Sequence, residues 1–133
     1  MPQSLFAVLP AIAIALFIVA ALALLLRQDK AQPGNWLVPA GLAALFLGWS
    51  LYAVSAEGPF GFWANHTRTA WGNQVWFDLL LAIGCAWALL LPRARAVGMR
   101  PVPWLVLILC TGSIGLLAML ARCLFLEHRQ SAT

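Results

Sequence analysis

Four long apolar runs, at residues 5–26, 36–56, 71–91 and 102–126, limit what this chain can fold into. Each is close to the roughly 20 residues that carry an α-helix through about 30 Å of hydrocarbon at 1.5 Å per residue. None shows the two-residue alternation, sustained over about ten residues, that a membrane-spanning strand requires. Charged residues make up 9% of the 133-residue chain and apolar residues 63%, whereas ordinary soluble domains carry about 25% charged residues. So few charges cannot cover so much apolar surface in water. The expected fold is therefore all-α: an integral membrane four-helix transmembrane bundle. It forms a single domain over residues 1–133, with helices at about 4–26, 36–56, 71–91 and 102–126.

The first run is longer than the roughly 7–15-residue core of a secretory signal, and no Lys or Arg precedes it, so it reads as a retained span. The net charge of +4 does not indicate nucleic acid, because its sources lie between and beyond the runs. Arg27 and Lys30 fall between the first two runs, and Arg93, Arg95 and Arg100 between the last two. With four spans these residues share one side, and Arg68, Arg122 and Arg129 belong to the other. The positive-inside rule puts the larger group in the cytoplasm, and hence both termini outside. Lipid headgroups, not nucleic acid, are the expected partners of these charges.

Most cofactor and catalytic chemistry finds no foothold here. Cys85, Cys110 and Cys123 form no C-x-x-C pair and read as small core residues. His66 and His128 lie outside the runs, so no facing pair of haem ligands is expected. No His, Cys, Asp and Glu cluster has metal-binding spacing, and Ser113 has no base at its depth. No metal, cofactor or catalytic residue is assigned.

What remains is a set of helix faces. Gly41, Leu45, Gly48, Tyr52 and Ser55 share one face of the second helix, and Gln74, Asp78, Ala82 and Cys85 share one of the third. Thr111, Gly115, Ala118 and Arg122 do so in the fourth. Small residues let helix backbones approach in lipid, so these faces are expected to be seams. Trp76, Ile83 and Trp87 lie on the opposite, lipid-suited side of the third helix. The connection between the second and third helices, with Phe60, Phe62, Trp63 and Trp71, suits an interfacial aromatic belt.

Counting from the ends of four full spans puts Tyr52, Asp78 and Arg122 in the same outer third of the membrane. A lone charge within a span costs about 2.5–3.5 kcal/mol, so it is paired or faces water. Asp78 and Arg122 are therefore expected to form a structural ion pair. Tyr52, His66 and Gln74 complete a candidate ligand-binding cluster with them. Three readings stay open for it: a clasp between helices, the polar floor of a pocket for a lipid or other hydrophobic ligand, and proton-coupled transport or acid–base chemistry.

The second half of the chain also carries a recognisable pattern: WGNQVWFDLLLA at 71–82, Ala94-Arg95-Ala96-Val97-Gly98, Pro103-Trp104, and Thr111-Gly112-Ser113-Ile114-Gly115-Leu116-Leu117. It resembles a family of small bacterial integral membrane proteins of unknown function. A more distant likeness joins the same Asp-Leu, basic-Gly and Gly-x-x-Gly-Leu-Leu elements to plastid membrane proteins needed for neoxanthin formation. Where the bacterial family often has an acid–Ala–Arg triplet this chain has Arg93-Ala94-Arg95, and Gly115-Leu116-Leu117 replaces its Gly-Pro-Leu. The bacterial resemblance implies a multi-pass protein of the inner membrane and brings no assigned activity, and the plastid one implies an isoprenoid-like ligand. The expected function is a non-enzymatic accessory or structural subunit, or a small homo-oligomer, with another membrane protein or a second copy as partner. The alternative is a membrane enzyme or binding protein for a hydrophobic isoprenoid or lipid.

Overall fold

The computed structural model describes residues 3–26 and 35–131. Their regular elements are all α-helices: α1 Gln3–Leu26, α2 Leu37–Glu57, α3 Gly61–Thr67, α4 Ala70–Ala96, α5 Pro101–Thr111 and α6 Ser113–Ser131. The chain divides into two compact units, residues 1–32 with α1 and residues 33–133 with the rest. Helix α1 runs through Pro10 and contains no charged residue.

Among the described residues, two helices are long and apolar enough to cross a membrane, Leu37–Glu57 and Ala70–Ala96. Only 11% of the apolar window of α2, and 6% of that of α4, is buried by the protein itself. The core helix of a soluble protein would be mostly buried, so these helices present their apolar surface outward. Val8–Ala23 and Pro101–Thr111 are shorter apolar helices.

The fourth apolar run departs from expectation, because it is two helices and not one. Gly112 closes α5 with φ 60° and ψ −125°, and its N–H bonds to the Ile108 carbonyl at 2.6 Å. Beyond it α6 turns back along α5. A Cβ on Gly115 would sit 2.9 Å from both the Cα and the N of Ile108, so only glycine permits this approach. The fold-back is confirmed further along, where Glu127 of α6 meets Arg93 of α4 at 2.8 Å. A straight helix would carry Glu127 about 39 Å from Pro101, at 1.5 Å per residue. The segment from Arg93 to Pro101, helical to Ala96 and turning at Gly98, cannot reach across that distance.

The α4–α5 connection is built for this return. The Met99 N–H bonds to the Ala94 carbonyl at 2.9 Å and the Gly98 N–H to the Arg95 carbonyl at 3.0 Å. Gly98 takes φ 78°, which completes a Schellman cap with the apolar Met99 side chain tucked inward. Met99 joins Leu90, Ala94, Ile108, Met119 and Cys123 in the core, flanked by Ile83, Trp87 and Trp104.

Helix α6 is the hub of this unit, packed against α2, α4 and α5. Its buried residues, Gly115, Met119, Ala121, Cys123 and Leu124, point to different sides of the helix, as a helix covered by several neighbours requires. Ile83 of α4 lies over Gly112, while Arg93 meets Glu127, so α4 and α6 run parallel. Trp36, at the start of α2, meets Phe125 edge-on at 5.3 Å. The start of α2, the end of α4 and the later turns of α6 therefore share one end of the unit.

Candidate functional site

At the other end, the connection expected as an aromatic belt contains the short helix α3, folded onto the first turns of α4. Thr69 caps α4, its hydroxyl accepting the Gly72 N–H at 3.0 Å. A Cβ on Gly72 would collide with the Asn65 carbonyl oxygen, so the close approach of α3 depends on glycine there. Asn73 donates to the His66 carbonyl, and His66 Nδ1 lies 3.2 Å from the Gly72 carbonyl. Trp76 then receives two rings: Phe62 stacked at 5.8 Å and His66 tilted at 5.1 Å. Trp76 is half-buried beneath α3.

This docking fixes which side of α4 is covered. Trp76, Ile83, Trp87, Leu90 and Ala94 lie along the packed side, which reverses the expectation that Trp76, Ile83 and Trp87 face lipid. Gln74, Asp78, Ala82 and Cys85, the expected seam, are all exposed. Periodicity grouped these residues correctly but did not reveal which group a neighbour covers. The same holds for α2. Its buried residues are Pro39 and Ala43, whereas Gly41, Leu45, Gly48 and Ser55 are exposed and a Cβ on either glycine would meet nothing within 4 Å.

The candidate cluster is dispersed accordingly. Among the described residues, no hydrogen bond or ion pair joins any two of Tyr52, His66, Gln74, Asp78 and Arg122. Tyr52 is half-buried on α2, its ring 5.6 Å from that of Trp49. His66 packs on the Trp76 side of α4, and Asp78, two residues on, points about 200° away from Trp76 around the helix. Arg122 lies at the opposite end of the unit, with its guanidinium 5.7 Å from the centre of the Phe125 ring. The expected Asp78–Arg122 pair is not formed, because its common depth required one straight helix over 102–126. The Gly112 turn carries Arg122 back toward the start of α2.

The ion pair seen among the described residues is Arg93–Glu127. It is bidentate: Nε donates to Oε1 at 3.0 Å and Nη2 to Oε2 at 2.8 Å. The Cys123 thiol donates to the same carboxylate at 3.6 Å. This pair staples α4 to α6 at the end where the charged residues gather. The sequence held a signal for it in the only acid of the α6 segment, Glu127, and in the basic residues ending α4.

Phe125 receives a second guanidinium, that of Arg129, at 5.9 Å. Of the cysteines, Cys123 is buried as expected, whereas Cys85 and Cys110 are exposed. Asp78 is left as the one acidic or basic side chain within the apolar stretch of α4, uncovered and without a partner among the described residues. It lies roughly 12 Å along the axis from Ala70, with Gln74 one turn before it.

The chain matches no family model, no curated protein and no solved structure.

Proposed function

We propose that this chain is a multi-pass inner-membrane protein acting as a non-catalytic accessory subunit of a larger membrane assembly. In this reading α1, α2 and α4 cross the bilayer, and the α5–α6 hairpin enters and leaves on one side. Placement in the bilayer draws support from the outward apolar surface of α2 and α4 and from the charge distribution. With the hairpin, Arg93, Arg95, Arg100, Arg122 and Arg129 gather at one end of the unit. Of the six basic residues of the 33–133 unit only Arg68 is left for the other side. Within this unit the basic residues divide five to one, a far stronger cytoplasmic signal than the five-to-three bias of a four-span reading. The later turns of α6 then face the cytoplasm, whereas four straight spans would put them outside.

The accessory role rests on one observation, the uncovered polar face of α4. Lipid tails cover apolar faces at no cost but cannot satisfy a carboxylate and an amide, so this face calls for protein. The reading as a lipid or isoprenoid pocket depended on Tyr52, Asp78 and Arg122 closing around one space, and their separation removes that support. The test is purification of the chain from its native membrane in gentle detergent, followed by native mass spectrometry. A second protein at fixed stoichiometry is expected. A chain that emerges alone, or with lipid only, would sink the subunit reading.

A further inference from the structure

Asp78 stands apart from the packing of the 33–133 unit. It is exposed on α4 with no partner among the described residues. Around it, Val75 is 54% exposed, Leu81 68% and Leu89 77%, so the carboxylate stands in a broad uncovered apolar surface. Among the described residues nothing is placed to neutralise it. Helix α1 contains no charged residue, and Arg122 sits at the far end of the unit. Arg68 precedes the α4 cap, more than two turns away.

We infer that Asp78 is the docking point for a membrane-spanning helix of a different protein that carries an Arg or Lys at the depth of Asp78. The inference rests on the accessory-subunit reading and names the partner's chemistry. Charge decides it. An unpaired carboxylate at this depth is costly, and a guanidinium or ammonium on a neighbouring helix is the complement that removes the cost. Gln74, one turn away on the same face, supplies a second hydrogen-bonding group that holds register along the partner. A second copy of this chain fails as the occupant. A two-fold axis along the membrane normal sets Asp78 against Asp78, and no described basic residue of the copy lies at that depth.

The test uses a probe of known sequence and the full chain. Leu-Ala host helices of membrane-spanning length, each with one Arg at a different position, are reconstituted with the labelled protein in phosphatidylcholine bilayers. Energy transfer reads their association. The helix whose Arg matches the Asp78 depth is expected to associate about tenfold more tightly than its all-apolar parent. Moving the Arg by two turns is expected to remove the gain, as is Asp78→Asn, a same-shape change at an exposed position that leaves the fold intact. Equal association of the Arg and parent helices, or a gain that survives Asp78→Asn, would overturn the proposal. So would oxidative cross-linking of Cys85 to Cys85 between copies in a Cys110→Ser background, since Cys85 lies on this face and the bond would show a second copy seated there.

The two readings can fail separately. A native partner that persists with Asp78→Asn keeps the subunit role and overturns this docking point. Arg-dependent probe binding without any native partner keeps the docking chemistry and overturns the subunit role.

Discussion

Replacing Gly112 by alanine sets the α5–α6 hairpin directly against a straight helix. At φ 60° and ψ −125° the backbone lies where an L side chain costs about 1–3 kcal/mol. In a continuous helix the same substitution gains about 1 kcal/mol, because glycine is the poorer helix former. Both effects favour straightening and total about 2–4 kcal/mol. At about 1.4 kcal/mol per factor of ten, the ratio of hairpin to straight helix falls roughly 30- to 700-fold. Opposing this are the Arg93–Glu127 pair and the core around Met119 and Cys123, which exist only in the hairpin. Spin labels at Val102→Cys and Arg122→Cys, with Cys85 and Cys110 changed to serine, report the outcome. Twenty residues of straight helix hold the labels about 30 Å apart, whereas the hairpin brings both to the Arg93 end. One short distance is expected for the Gly112 protein, and a second population near 30 Å for Gly112→Ala. A distance near 30 Å in the protein with Gly112 intact would refute the fold-back. An unchanged distribution in folded Gly112→Ala would refute the energetics.

Three further outcomes follow from the same geometry. Exchanging the charges as Arg93→Glu with Glu127→Arg should recover stability lost by either single change. The Arg93 side chain is 49% exposed, so a double-mutant cycle in detergent should give a coupling of about 0.2–1 kcal/mol. Zero coupling would show that the staple contributes nothing. Gly72→Ala pushes a Cβ against the Asn65 carbonyl and should cost about 1–3 kcal/mol by lifting α3 off α4. Hydrogen exchange across Gly61–Thr67 should then rise, and unchanged protection would contradict the contact. A sidedness reporter fused after α6 should agree with one inserted at Gly98, and opposite signals would rule out the hairpin topology.

The long helices were legible because each apolar run is a length problem, and length is a property of sequence. Helices α2 and α4 begin and end within a few residues of the expected 36–56 and 71–91, except that α4 continues through Pro92 to Ala96. The break at Gly112 was not legible by the same means. Hydropathy measures how apolar a segment is and is blind to a single left-handed backbone torsion. The sequence still held traces of it: Gly112 and Gly115 close together, and a basic residue at Arg122 that a full span would have to bury. The faces of α4 show a second limit. A 3.6-residue period groups Gln74 with Asp78 and Ile83 with Trp87, but only the docking of α3 and α6 determines which group is covered. Trp76 looked suited to lipid and instead serves as the platform for Phe62 and His66.

The hairpin has one more consequence in the proposed topology. Helix α5 rises only about 16 Å at 1.5 Å per residue, roughly half of a 30 Å hydrocarbon core. Within the 33–133 unit, the cytoplasmic leaflet must therefore make room for α2, α4, α5 and α6, and the opposite leaflet for α2 and α4 alone. Such a wedge displaces more area from one monolayer than from the other. Lipids beside the hairpin tip must lean in to fill the difference, and the cost of that tilt varies with membrane curvature. A single glycine torsion thus gives this unit a preference for the shape of the bilayer around it.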